Sequence, residues 1–215
     1  MTPEIPLDEP PKFGPPLPTP SYGSGGVVSI VYRTMVAASP VTCLEIMLDP
    51  STFQSWNKSI AGVTILPTPL DSRPPPSPPP QLAHLTSSPN SLLRGRKLRV
   101  KGYTNYPDTS KTQRLDAEIS VLEEFQSEDG RKGLRVAWKS LGDPWYLRFE
   151  RTQEFLEGSG AESCEYTSKE TFFGALAYLV KPFLSGSLQK LLVLWRDGLK
   201  DFAERIAKEK TQYSG

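Results

Sequence analysis

Prolines are clustered in this chain, and they limit what two of its segments can fold into. The 215 residues include 22 prolines, about twice the average usage of roughly 5%, concentrated in residues 1–26 and 67–91. Because proline fixes φ and removes a backbone donor, neither stretch suits a helix or a central strand. We therefore expect one domain over residues 27–208, with a disordered tail at 1–26, a disordered insert at 67–91 and a short tail at 209–215.

Charge and residue counts exclude several classes of function. The 25 basic and 24 acidic residues nearly cancel, so the chain as a whole offers no basic field for nucleic acid or an anionic membrane. The single histidine, His84, and the two cysteines, Cys43 and Cys164, form neither a multi-histidine metal site nor a disulfide scaffold. No apolar run approaches the ~18 residues of a membrane span. With an acidic, proline-rich start and no targeting pattern, we expect a cytoplasmic protein without metal or other cofactor.

Hydrophobic alternation is the strongest structural signal in the chain. The segment 27–36 is β-branched and apolar, 62–66 is a short strand, and five strand-like runs follow the insert at 92–103, 113–125, 133–140, 146–156 and 163–173. Their period of two predicts antiparallel strands joined by tight turns. Two short helical segments are predicted from Pro40 and over 51–56. Apolar residues at steps of three to four predict a helix at 187–208, separated from a shorter piece at 175–181 by Pro182 and Gly186.

This order of elements resembles the START-like, or SRPBCC, superfamily. Residues 149–152, 170–176 and 188–202 are similar to its polyketide cyclase/dehydrase and lipid transport members, which are related to coenzyme Q-binding proteins. The resemblance implies an α+β helix-grip fold. In that fold a curved antiparallel sheet of about six to seven strands wraps around the long C-terminal helix, with two short helices after strand 1 and an apolar cavity inside. A sheet closed by one helix leaves more interior than one layer of side chains fills.

The cavity that this fold implies gives a set of candidate ligand-binding residues. They come from the inward rows of the strands, from the long helix and from the short helices: Trp56, Val136, Trp138, Phe149, Phe172, Trp195 and Leu199. The alternative for Trp138 and Trp195 is that they are ordinary wall and core, and we expect Trp56 to plug the end of the cavity.

Three polar residues on the same inward rows are candidates for catalysis. Glu170 shares a row with Tyr166 and Phe172, and a carboxylate beside apolar walls can shuttle a proton. Arg151 lies among apolar neighbours and could anchor a ligand carboxylate, enolate or phosphate, while Tyr166 could donate to a ligand carbonyl. The alternative for Glu170 is that it pairs with Arg151 on the neighbouring strand. Arg151 could equally lie beyond the core at the margin of the sheet, and Tyr166 could be a buried ring with a solvated hydroxyl.

Three functions follow from this reading, and the sequence leaves the choice open. The first is a cofactor-independent cyclase, dehydratase or isomerase acting on an apolar metabolite. The second is a non-catalytic carrier of a lipid, sterol or quinone. The third is an adaptor whose proline-rich tail, with residues 15–18 as a left-handed extended helix, is bound by a protein partner. In each case we expect no nucleic acid and no integral membrane contact.

Overall fold

The computed structural model describes residues 5–67, 76–141, 145–160 and 162–213. Residues 1–4 and 214–215 of the predicted tails and residues 68–75 of the predicted insert therefore lie outside the described residues. Eight antiparallel strands form one sheet in the order β1-β2-β8-β7-β6-β5-β4-β3. Their bounds are β1 Lys12–Gly14, β2 Val28–Val36, β3 Ile60–Ile65, β4 Lys97–Asn105, β5 Asp108–Gln126, β6 Lys132–Ser140, β7 Arg148–Glu157 and β8 Cys164–Phe173. The helix-grip prediction is confirmed, with one strand more than expected.

A side-chain cap marks the start of the first helix. Helix α1 (Pro40–Leu48) begins after Ser39, whose hydroxyl accepts a hydrogen bond from the Thr42 N–H at 3.2 Å. A 3₁₀ turn (Pro50–Thr52) and α2 (Phe53–Trp56) follow. After β8 come α3 (Ala177–Leu179), a π-helical turn (Val180–Leu184) and α4 (Ser185–Tyr213).

The predicted break at Pro182 and Gly186 is replaced by a change of helix type. Pro182 lies within the π turn, and Gly186 lies inside α4. A π turn already departs from the i→i−4 hydrogen-bond pattern, so a residue without an N–H can be accommodated there. The chain therefore stays helical from α3 into the long helix.

Curvature lets the sheet partly enclose α4. The strand register shifts at three places, between Ile60 and Gly62, between Tyr103 and Asn105, and between Ile119 and Val121. Such irregularities bend a strand and increase its twist. The core lies on the concave side, where α4 contributes four buried apolar residues, Leu192, Trp195, Leu199 and Ala203.

The N-terminal segment differs from the disordered tail that its prolines predict. Strand β1 pairs with β2, and Phe13 packs against the core. Further on, the Leu17 N–H donates to Ser29 Oγ at 2.8 Å, and the Leu17 carbonyl accepts from Thr171 Oγ1 at 3.0 Å. Proline removes only its own donor. The carbonyls and the residues between prolines remain free to bond with the sheet.

Two further contacts hold this segment against the domain. The N–H and the hydroxyl of Ser21 both donate to the buried Glu150 carboxylate at 2.8 Å. On the helix side, Gln189 Nε2 donates to the Pro11 carbonyl at 2.7 Å. The tail thus contacts both α4 and the sheet.

The end of the predicted insert is also ordered in the structure. A 3₁₀ helix spans Pro80–Ser87, with the Leu82 side chain fully buried. Leu92 is fully buried as well, and its N–H donates to the Leu48 carbonyl at 2.8 Å. The run of consecutive prolines ends at Pro80, where this 3₁₀ helix begins. Burial of the leucines that follow stabilises the segment.

Gly198 sets the distance between α4 and α2. A Cβ at this position would overlap with the carbonyl oxygen of Trp56. We expect Gly198→Ala to lower the free energy of unfolding by about 2 kcal/mol or more, because the helices would have to separate. The matched control on the same helix is Gly186→Ala, where nothing lies within 4 Å of the added Cβ, and where helix propensity favours alanine. Chemical denaturation of both variants measures the difference. Equal stabilities would contradict the close approach.

Leu82 tests whether the end of the insert is part of the core. We expect Leu82→Ala to lower the free energy of unfolding by about 2–4 kcal/mol, as for other buried leucines. The control is Leu115→Ala, because Leu115 is exposed on β5. Thermal or urea unfolding gives both values. If Leu82→Ala costs no more than the control, the segment is disordered as the proline pattern predicts.

Candidate functional site

The three candidate catalytic residues lie on adjacent strands of the concave face. In the β7–β8 register, Arg151 is directly opposite Glu170, and Phe155 is directly opposite Tyr166. Between these two pairs, Gln153 is opposite Ser168. Side chains two apart on a strand share a face, so Arg151, Gln153, Glu170 and Tyr166 form one cluster. We call these four residues the polar cluster.

Arg151 and Glu170 form an ion pair, which is the alternative that the sequence left open for Glu170. The Arg151 Nε and one terminal nitrogen lie 3.0 and 2.6 Å from the same Glu170 oxygen. The Trp195 ring lies under the guanidinium, 5.3 Å from its carbon. Burial lowers the pKa of Arg151, but the Glu170 carboxylate outweighs it, so the pKa is raised above its usual value. Arg151 stays charged and balances the buried carboxylate.

Tyr166 belongs to a hydrogen-bond chain inside the protein. Its hydroxyl donates to Gln153 Oε1 at 2.6 Å and lies 2.9 Å from the Tyr32 hydroxyl. The Tyr166 ring stacks on Phe155, with centroids 4.7 Å apart. Burial is the main cause that raises the pKa of both tyrosines, and it raises that of Tyr166 well above its usual value of 10.0. At neutral pH both phenols are therefore protonated. They can donate hydrogen bonds but do not serve as bases.

Gln153 is the residue of the cluster that sequence reasoning missed. Its Oε1 accepts from Tyr166 and also from Trp195 Nε1, at 3.2 Å. Because an indole N–H can only donate, the second bond fixes which end of the amide faces Trp195. The available signal was a polar amide on the inward row of β7, between Arg151 and Phe155. A side chain at that position must find partners when it is buried.

Two buried N–H groups next to this cluster lack an acceptor among the described residues. They are Gln153 Nε2 and Trp138 Nε1. Gln153 is fully buried, and Trp138 is 6% exposed. The rings of Trp138 and Trp195 are 5.4 Å apart, so both groups lie around the same helix side chain. An unpaired buried donor costs about 1–3 kcal/mol. These groups can therefore form further hydrogen bonds with an acceptor placed between the sheet and α4.

The residues predicted to line a cavity fall into two groups. Trp56, Trp138 and Trp195 are brought together with Phe53, at centroid distances of 5.0–6.2 Å. Phe149 and Phe172 form a second pair, 6.1 Å apart. Val136 and Leu199 are fully buried in the core. At the level of Trp195 the space between sheet and helix is therefore filled by aromatic rings, whereas the resemblance implies an open cavity.

A surface groove of about 880 Å³ lies elsewhere, between the start of α1, the end of β5 and the turn after β7. Its lining includes Pro40, Phe125 and Leu134, but none of the four residues of the polar cluster. The groove and the cluster are thus separate features.

The cysteines offer no nucleophile. Cys43 Sγ and Cys164 Sγ are 3.5 Å apart, and both residues are free thiols that are fully buried. The hydrogen bond with Cys164 and burial raise the pKa of the Cys43 thiol well above its usual value. A protonated, inaccessible thiol is unreactive.

Among the described residues, no group of three or more His, Cys, Asp or Glu side chains could hold a metal ion. No described helix is long and apolar enough to cross a membrane.

The ion pair gives a test of how the cluster contributes to stability. We expect Arg151→Met to lower the free energy of unfolding by about 3–5 kcal/mol, because it leaves Glu170 buried without its partner. The double variant Arg151→Met/Glu170→Leu is expected to regain most of this loss, since the two apolar side chains match their surroundings.

The control is Arg99→Met, which breaks the exposed Arg99–Asp116 pair between β4 and β5. It should have little effect, because exposed pairs are screened by solvent. Urea unfolding of these variants and of the single variant Glu170→Leu completes the comparison. If the effects of the two buried replacements simply add, the pair is not coupled as the geometry indicates.

Comparisons with known proteins identify the fold. No family model and no curated protein sequence matches the chain. Among solved structures, a hypothetical protein from Helicobacter pylori matches with a TM-score of 0.56 and 12% identity, over 80% of this chain and 86% of that one. The Zhui aromatase/cyclase from Streptomyces sp. R1128 matches with a TM-score of 0.52 and 11% identity, over 82% and 93% of the two chains.

Major latex-like protein 151 from Panax ginseng matches with a TM-score of 0.53 and 10% identity, over 81% of this chain and 96% of that one. At such identities the likeness concerns the fold alone. The curved antiparallel sheet, the two short helices after β2 and the long C-terminal helix agree with it. The chain has the helix-grip fold that these structures share.

Proposed function

We propose that this protein binds a hydrophobic small molecule that carries a hydrogen-bond acceptor, in the interior between the sheet and α4. The observation that carries the proposal is the pair of buried, unpaired donors, Gln153 Nε2 and Trp138 Nε1. A carbonyl or ether oxygen would satisfy them, and the surrounding aromatic rings would contact the apolar part of the molecule. The fold supports this reading, because proteins that share it include an aromatase/cyclase.

The interior must open for a ligand to enter, because aromatic rings fill it around Trp195. At the N-terminal end of α4, α3 and the π turn each bury one residue, Ala177 and Val180. Short helical segments with little buried surface open at low free-energy cost. We therefore place the entrance at this end of α4, beside Phe149 and Phe172.

Binding without chemistry is the better-supported form of the proposal. Glu170 is occupied by Arg151, and Tyr166 is fully buried with a strongly raised pKa. Neither is poised for proton transfer at neutral pH. We therefore favour a carrier or binding protein for a lipid, sterol, quinone or similar molecule. In this role Arg151 positions Glu170 and Trp195, and it does not anchor the ligand.

A proton-transferring cyclase, dehydratase or isomerase is the second candidate. The observation that favours it is the presence of a carboxylate and two phenols, Glu170, Tyr32 and Tyr166, within one buried network. A ligand that displaced Arg151 from Glu170 would free the carboxylate to accept a proton. In that case Glu170 is the base, and Tyr166 donates to the substrate oxygen.

The adaptor reading is the weakest of the three. The segment proposed to bind a protein partner, residues 15–18, bonds through Leu17 with Ser29 and Thr171 of the sheet. It would have to detach from the domain before another protein could bind it. Binding of a protein partner by the proline-rich tail therefore stays a prediction. It requires a second conformation, in which the tail is detached from the domain.

Native mass spectrometry combined with two tryptophan variants tests the proposal. We expect the purified protein, incubated with a lipid extract, to carry an apolar molecule of defined mass. Trp138→Phe removes the unpaired N–H and should weaken binding of that molecule about tenfold, the effect of one lost hydrogen bond. The control Trp56→Phe lies in the same aromatic cluster, but its N–H already donates to Thr52 Oγ1 at 3.2 Å.

The outcomes separate the candidates. A bound molecule recovered unchanged supports a carrier, and one recovered with altered mass or structure supports an enzyme. If the protein has the mass of the unliganded chain after every incubation, both the carrier and the enzyme are refuted. If the two tryptophan variants weaken binding equally, the unpaired donor is not what the ligand contacts.

A further inference from the structure

An exposed apolar patch lies where β8 passes into α4. We call it the apolar tip, and it consists of Trp145, Tyr146, Leu176, Tyr178, Leu179, Phe183 and Leu184. The exposed fraction is 80% for Trp145, 75% for Phe183 and 71% for Tyr178. Single exposed apolar residues are ordinary, but a contiguous group of this kind marks an interaction surface.

The tip is held together by backbone contacts between its two segments. The Leu176 N–H donates to the Tyr146 carbonyl at 2.8 Å. Gly174, at φ +93°, lies so close that an added Cβ would be 2.5 Å from the same carbonyl oxygen. The segment before β7 and the connection after β8 therefore present their side chains on one surface.

These side chains are not part of the buried core. The connection has its own inward residues, Ala177 and Val180, which are both buried in the core. The tip residues Tyr178, Leu179 and Phe183 lie between and beyond them and face solvent. The connection is thus apolar on both its buried and its exposed side. A segment that only covers the core needs apolar residues on its buried side alone.

Charge along the connection after β8, which supplies five of the seven tip residues, is one-sided. Between Thr171 and Trp195 the sequence has no acidic residue, and its charged residues are Lys181 and Lys190. Both lysines are exposed. The nearly balanced total charge of the chain hides this local excess. A surface of tryptophan, tyrosine, phenylalanine and leucine with lysine beside them is the composition that favours the boundary between anionic headgroups and acyl chains.

Lys181 argues against a second copy of the chain as the binding partner of the apolar tip. Lys181 lies in the middle of the apolar connection, between Leu179 and Phe183. In a two-fold symmetric contact centred there, the lysines of two copies would approach each other, and interface cores are depleted in lysine. On an anionic bilayer the ammonium group instead meets phosphate, and each lysine near such a surface adds to the attraction.

We propose that the apolar tip binds the surface of an anionic lipid bilayer, with its aromatic side chains in the interfacial region and the rest of the domain in water. The sequence-based expectation of no integral membrane contact is unaffected, because the tip lies on the bilayer and does not cross it. This surface is independent of the ligand proposed above. A membrane on which the tip docks would also be a source of apolar ligands.

Vesicle binding by the full chain tests this proposal. We expect co-sedimentation with vesicles of phosphatidylcholine and phosphatidylserine, and much less with phosphatidylcholine alone. Three of the four tryptophans, Trp56, Trp138 and Trp195, are buried, so the emission of exposed Trp145 should shift to the blue on binding. Trp145→Phe should remove this shift.

Variants at the tip locate the contact. Phe183→Ser should weaken partitioning about tenfold or more through lost apolar burial, and Lys181→Ala about fivefold through lost headgroup attraction. The matched control is Leu115→Ser, an exposed leucine outside the tip. Thermal unfolding confirms that each variant is folded.

Three results would overturn the proposal. One is that the protein sediments with neither kind of vesicle, or that it binds equally to vesicles with and without phosphatidylserine. Another is a Phe183→Ser variant that binds as the control does. The last is a dimer in analytical ultracentrifugation that Phe183→Ser converts to a monomer, because it would assign the tip to a second copy of this chain.

Discussion

One side chain, Trp195, connects the long helix to both the apolar and the polar parts of the interior. Its ring packs 5.0 Å from Trp56 and 5.4 Å from Trp138. The same indole lies over Arg151 and donates to Gln153 Oε1. A helix on a curved sheet can slide or rotate unless particular side chains hold it. Because this indole has partners on α2, β6 and β7, it fixes the position of α4, and with it the geometry of the polar cluster.

Period-two alternation predicted the five strands after the insert, and the resemblance in element order implied the helix-grip architecture. Proline content was a poor guide to the remaining segments. Alternation is informative because one face of a half-buried strand packs on the core and the other does not. Residues such as Phe13 in the tail and Leu82 in the insert are buried through distant contacts. A few apolar side chains between prolines decide whether such a segment packs, and the proline count does not record them.

The polar cluster shows where sequence reasoning reaches its limit. That Arg151 and Glu170 share the inward face follows from alternation, but that they are directly opposite each other depends on the β7–β8 register. The same register brings Gln153, which has no charge to draw attention to it, beside Tyr166 and Trp195. Net charge is a poor guide for a similar reason. The total of +1 does not reveal that the stretch from Thr171 to Trp195 contains lysines and no acidic residue.

Strand β1 lies outside β2 at one end of the sheet. Without Lys12–Gly14, the backbone of β2 would present unpaired N–H and carbonyl groups along this margin. Exposed margins of this kind recruit strands from other molecules and lead to aggregation. The proline-rich segment is suited to covering such a margin. It supplies one strand of three residues, and the prolines that follow cannot lengthen this strand, so the new edge of the sheet at β1 is short.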